Sequence, residues 1–192
     1  MSTNGSDKRI RLVRAAADLS YARGLGNVAL SDIAEHAAVP LGNVYYYFKT
    51  KASIGEAVIA LRCAEFERMR AKWDMAQTPK DRLKAFVRMT ADNRENLARA
   101  GCPVGSLCAE LAKPEGPLID QAAMPLRRLL AWIEEQFQAL GQGQSKGALA
   151  LHLLASLQGI SLLANGFRDP ALVETEAAVL NSWIDTLDNA KD

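Results

Sequence analysis

The sequence predicts an all-α protein. Apolar residues recur at helical spacing through nearly all of its 192 residues, N-cap and stop signals separate the runs, and no stretch alternates apolar and polar residues as a half-buried strand would. No internal repeat is visible.

Each element follows from local chemistry. From Lys8 to Arg23, Ile10, Val13, Ala17 and Tyr21 recur at helical spacing, with Leu12, Ala16 and Leu19 widening the stripe, and Gly24 and Gly26 end it. Ser31 is read as the cap of a short second helix, "DIAEHA", whose Asp32 and Glu35 suit the helix dipole. "AVPLG" interrupts, a third short helix runs to about Phe48, and Thr50 caps a fourth, "KASIGEAVIALRCAEFERMRAKW". "TPKD", residues 78–81, places a Thr cap before Pro79 and starts a helix expected to reach about Leu97. "AGCPVGS" breaks it, and "KPEGP" breaks the chain again near residue 115. A helix from about Leu118 to Leu140 carries Leu126, Leu130, Ile133 and Phe137, with Pro125 a candidate kink. "GQGQSKG" reads as a loop before two last helices, 146–165 and 171–188, separated by "FRDP".

Composition narrows the class. Apolar residues make up 49% and charged residues 23%, ordinary values for a globular chain. The polar start "MSTNGSDKR" lacks the apolar run of a signal peptide, so a cytoplasmic protein is expected. Between Lys146 and Arg168 twenty-one residues carry no formal charge, but His152, Ser156, Gln158, Ser161 and Asn165 interrupt them, which favours a helix buried by its own domain or a second copy over a membrane span. Cys63, Cys102 and Cys108 form no CxxC pair, and with two histidines neither a disulfide framework nor a structural metal site is predicted. No nucleophile, acid and base constellation and no glycine-rich phosphate loop points to an enzyme or a cofactor. Net charge is +1, divided as +3 over residues 1–53 and −2 over the rest. That asymmetry favours an anionic partner at the N-terminal end.

The informative stretch is "NVYYYFK", residues 43–49, which sets three tyrosines and a phenylalanine in succession. Successive helical side chains are turned by about 100°, so four consecutive rings cannot share one core. Two short helices joined by a tight turn, between longer helices, have the layout of a helix-turn-helix unit whose second short helix enters the DNA major groove. Ile33, Ala34, Val39, Val44 and Phe48 are spaced to knit these helices together. Leu41, Asn43, Tyr46 and Tyr47 are left for the groove and Tyr45 for its wall, where a tyrosine hydroxyl reaches phosphate. Lys51 stands at the start of the next helix, where backbone N–H groups already favour an anion.

"LSDIAEHAAVPLGNVYYYFKTKASI" resembles the N-terminal domain of TetR-type transcriptional repressors over about residues 8–60. The shared pattern is an IA pair, a turn ending in Val, a small-residue stretch, Tyr, further aromatics, Phe, and Lys three residues beyond. The resemblance implies phosphate contacts from Tyr45, Lys51 and the region of Ser31, and base contacts from Leu41, Gly42, Asn43 and one of Tyr46 or Tyr47. Ala38 departs from it, standing where the family usually has Gly, so the turn is expected to differ slightly.

The resemblance further implies a DNA-binding domain over 1–50 and a helical effector-binding and dimerisation domain over 51–192. Two copies on a palindromic site are also expected physically, because one helix-turn-helix reads few base pairs. Candidate dimer residues are Ala155, Leu157, Gly159, Leu180, Trp183, Ile184 and Leu187 on the last two helices. Met69, Trp73, Phe86, Met89, Leu107, Leu111, Trp132 and Phe137 are candidates to line a cavity for an apolar or weakly polar small-molecule effector. Cys102 precedes Pro103 at an expected helix start, where a thiolate is favoured, so Cys102, with Cys108 nearby in sequence, offers an alternative thiol-based sensor of electrophiles or oxidants. Cys108 lies about 240° round the same helix, poorly placed for an internal disulfide.

Overall fold

The structure, a computed structural model, describes residues 3–113 and 118–187. Among the described residues every regular element is helical. They are α1 (Thr3–Arg23), a 3-10 turn (Leu25–Asn27), α2 (Leu30–His36), α3 (Leu41–Tyr47), α4 (Lys51–Trp73), α5 (Pro79–Asp92), α6 (Arg94–Ala100), α7 (Pro103–Leu111), α8 (Ile119–Ala139), α9 (Lys146–Phe167) and α10 (Ala171–Thr186).

Local signals set most boundaries. Gly24 closes α1 at φ 82, a conformation open to glycine. Thr50 and Ser53 cap α4 reciprocally, Ser53 N–H donating to Thr50 Oγ1 at 3.1 Å and Ser53 Oγ to the Thr50 carbonyl at 2.7 Å. Thr78 accepts from Asp81 N–H at 3.1 Å, with Pro79 in the first turn of α5.

Three expectations are corrected. Ser31 is not the cap of α2: it lies inside the first turn, Ala29 is the N-cap residue, and Asp32 reaches back to accept the Ala29 N–H at 3.2 Å. The helix expected from residue 78 to 97 is two, because Asn93 (φ −93, ψ 10) leaves helical geometry between α5 and α6. Pro125 does not divide α8. The predicted break near residue 115 falls, beyond Lys113, outside the described residues.

The chain forms two compact units, Met1–Glu65 with Pro103–Pro125, and Phe66–Cys102 with Leu126–Asp192. The first unit therefore extends past residue 50. Three short helices bury little apolar surface, and the first unit adds the start of α4 and all of α7 to its core. That core is built on Leu12, Ala16, Ile33, Val44, Phe48, Ile54 and Val58, with Leu107 contributed by α7. The second unit packs α5 and α9 against α10, and α6 against α9, around Leu83, Trp132, Ile133, Phe137, Leu153, Leu180 and Ile184.

Candidate nucleic-acid interface

The turn between α2 and α3 is a Schellman closure built without glycine. Ala38 N–H donates to the Glu35 carbonyl at 3.0 Å, Val39 N–H donates to the Ala34 carbonyl at 2.9 Å, and Ala38 itself takes φ 51. Backbone hydrogen bonds and the buried Ala34 and Val39 side chains impose the left-handed residue on an alanine. The turn closes with Ala38, the position where the sequence departs from the family pattern, in the left-handed region.

Val44 and Phe48 anchor α3, both buried in the first unit's core. The arginine of Arg9 stands over the Phe48 ring, 5.6 Å from its centre. Leu41 and Gly42 are exposed and Asn43 half-buried, while Tyr45 and Tyr46 are 53% and 71% exposed. A Cβ at Gly42 would meet nothing within 4 Å. This outer face is open for a groove.

Tyr47 differs from its neighbours. It is half-buried, and its hydroxyl donates to the Gly5 carbonyl in the first turns of α1 at 2.9 Å. Its ring supports Tyr46 edge to face, with centres 4.9 Å apart. Tyr47 is therefore a fastening residue, and Tyr46 is the more exposed of the two.

Lys51 is exposed at the first residue of α4, where its Nζ donates to the Gly26 carbonyl at 2.5 Å. On the other side of that 3-10 turn, Glu110 of α7 accepts Leu25 N–H at 2.8 Å and Gly26 N–H at 2.5 Å. Sequence reading missed Glu110, since no local pattern marks an acid that acts 84 residues away. Ser31 is exposed on α2.

Residues 12–58 match the family model for bacterial regulatory proteins of the tetR family. The chain is 32% identical over 142 residues to the transcriptional regulator AcuR of Cereibacter sphaeroides, a match spanning 72% of this chain and 64%, less than two thirds, of that protein. The chain belongs to the TetR family. An uncharacterised HTH-type transcriptional regulator of Mycobacterium tuberculosis is 28% identical over 173 residues, 84% of this chain and 86% of that one. The fold is similar to that of a TetR-family regulator from Streptomyces coelicolor, with a TM-score of 0.82 at 19% identity, covering 95% of this chain and 96% of that one. These relatives are regulators of transcription.

Within this TetR-family chain the residues expected to line an effector pocket fall in both units. Trp73, Phe86 and Trp132 pack ring on ring, with centres 4.9 to 6.1 Å apart, and Trp132 Nε1 donates to Asp74 at 2.9 Å. Phe137 stacks on Trp183 at 5.9 Å. Aromatic residues at helical spacing here fill a core, with Met69 and Met89 packed at its edge. Leu107 and Leu111 belong instead to the first unit's core. A cleft of about 70 Å³ in the first unit is lined by Leu107 with Ala17, Ser20, Tyr21, Val58, Arg62 and Glu110 among others.

The candidate dimer residues separate in the same way. Leu157, Leu180 and Ile184 are at most 2% exposed and have no surface to offer a partner. Trp183 lies between Phe137 and His152, and Leu187 packs on the same core. Ala155 and Gly159 are exposed, beside residues the sequence reading did not select: Leu151, Leu162, Leu163 and Phe167 of α9 and Val179 of α10. Cys63, Cys102 and Cys108 are half-buried, Cys102 in the second unit and Cys108 in the first.

Proposed function

We propose that the protein is a homodimeric, DNA-binding transcriptional repressor of the cytoplasm that occupies a palindromic operator and leaves it when a small molecule binds. The observation that carries this reading is the division of α3 into an anchoring face, Val44 and Phe48, and an exposed face, Leu41, Tyr45 and Tyr46. Lys51, Tyr45 and the α2 surface at Ser31 would hold phosphates, and Leu41, Gly42, Asn43 and Tyr46 would meet base edges.

The exposed apolar stripe of α9 supports pairing. Leu162 and Phe167 are 71% and 69% exposed on a helix whose mean hydropathy reaches 1.6, and α10 adds Val179. Such a face is covered in a soluble dimer, and the small Ala155 and Gly159 let two helices approach closely. An apolar or weakly polar effector entering the helical region 51–192 would favour a spacing of the two α3 helices that cannot enter successive major grooves together.

Selection of bound duplexes from a random-sequence pool tests the reading. The expected product is a palindrome with half-sites separated by about one helical turn or a multiple of it, bound with steep salt dependence. Recovery of unrelated sequences at uniform affinity would overturn it. A second reading, thiol sensing by Cys102, draws on its place immediately before Pro103, where the chain enters the helix that carries Glu110. DNA release by an electrophile that survives Cys102→Ser would exclude it.

A further inference from the structure

We infer that Glu110 is a positioning residue for phosphate binding: it fixes the 3-10 turn at Leu25–Asn27 and, through the Gly26 carbonyl, sets where the Lys51 ammonium stands. This rests on the DNA-binding reading of α3 and Lys51. The turn has no cap of its own, since Gly24 supplies no side chain, and the Glu110 carboxylate takes up the N–H groups of Leu25 and Gly26 at 2.8 and 2.5 Å. Bonds from backbone N–H to an ionised carboxylate are among the stronger hydrogen bonds, so the acid pins the turn to α7.

Two glycines make the approach possible. A Cβ on Gly26 would stand 3.1 Å from Glu110 Oε1, and one on Gly24 would stand 3.3 Å from Oε2. A side chain at either position would press on the carboxylate. On the opposite edge the Gly26 carbonyl accepts from Lys51 Nζ at 2.5 Å.

An ammonium has three donors, and one bond to Gly26 leaves two for phosphate oxygens. A lysine already held at the helix start forgoes less rotamer freedom on meeting DNA than one that samples its whole range. Glu110 acts at one remove: without it the turn loosens, the carbonyl moves, and Lys51 no longer stands where the phosphate contact is made. Movement of α7 would reach the DNA contact by the same three hydrogen bonds.

The test measures affinity across a salt series for the duplex that the wild-type protein selects, with Glu110→Ala, Glu110→Gln, Lys51→Met and the Glu110→Ala/Lys51→Met double variant. Glu110→Ala is expected to bind roughly three- to tenfold more weakly, with a salt slope smaller by about 0.9, the share of one phosphate contact. Lys51→Met should show the same slope, and the double variant should be no weaker than Lys51→Met. A wild-type slope in Glu110→Ala, or losses that multiply in the double variant, would overturn the inference. If Glu110→Ala melts below the assay temperature, Glu110→Gln, which keeps one acceptor oxygen, decides by the same criteria. A wild-type protein that selects no duplex overturns the DNA reading instead. The clamp is then read from amide exchange at Leu25 and Gly26, which must accelerate in the Glu110 variants if the carboxylate holds the turn.

Discussion

The Tyr47 hydroxyl donates to the Gly5 carbonyl at 2.9 Å, joining the end of α3 to the start of α1 across 42 residues of sequence. The bond separates two adjacent tyrosines by role. Tyr47→Phe should cost about 0.5–1.5 kcal/mol, the usual net worth of such a bond, and should speed amide exchange in the first turns of α1. Tyr46→Phe should leave the unfolding midpoint unchanged and alter affinity for particular operators, as read by binding to half-site variants.

Ala38 holds φ 51 in the turn between α2 and α3. An L-residue with a Cβ is strained there, whereas glycine is not. Ala38→Gly should stabilise the first unit by up to about 1 kcal/mol, less the entropy glycine adds to the unfolded chain. Denaturant unfolding measures it, and a loss of stability would count against the turn described.

Leu157 and Leu162 stand five residues apart on α9, one buried and the other exposed. Leu157→Ala should destabilise the second unit by about 2–5 kcal/mol through the cavity it leaves. Leu162→Asp should leave the monomer folded and shift a dimer toward monomer, as sedimentation would show. If Leu162→Asp sediments as wild type, the face of α9 that pairs is not the exposed one.

Trp132 lies among Trp73 and Phe86 and donates to Asp74. Trp132→Phe should cost about 1–3 kcal/mol, because packing is mostly kept while a half-buried carboxylate oxygen loses its donor. Trp132→Ala should cost about 3–5 kcal/mol. If Trp132→Ala were nearly neutral and gained affinity for apolar ligands, the stack would be a closed pocket and not a core.

The short helices were legible because their determinants are local. Ile33, Ala34, Val39, Val44 and Phe48, selected on spacing, are all buried in one core. A stripe at period 3.6 names its inward face whenever the other face is polar. That condition fails in α9, where apolar residues lie all round the helix and sequence could not say that Leu157 turns inward while Leu151, Leu162 and Phe167 turn outward. The aromatic positions of the second unit are ambiguous in sequence for a related reason, since rings that line a cavity and rings that fill a core share one pattern.

The sequence by itself determined that this chain is helical, where most helices begin and end, and that residues 43–49 present more aromatic surface than their own domain can bury. Those properties depend on neighbours within a few turns. Tertiary structure decided which ring stays free and what holds the turn beside it. Gly5 fastens Tyr47, and Glu110 secures Leu25 and Gly26 from 85 and 84 residues away. Hydrogen bonds of that span are made only when separate helices pack, so no periodicity within the chain records them.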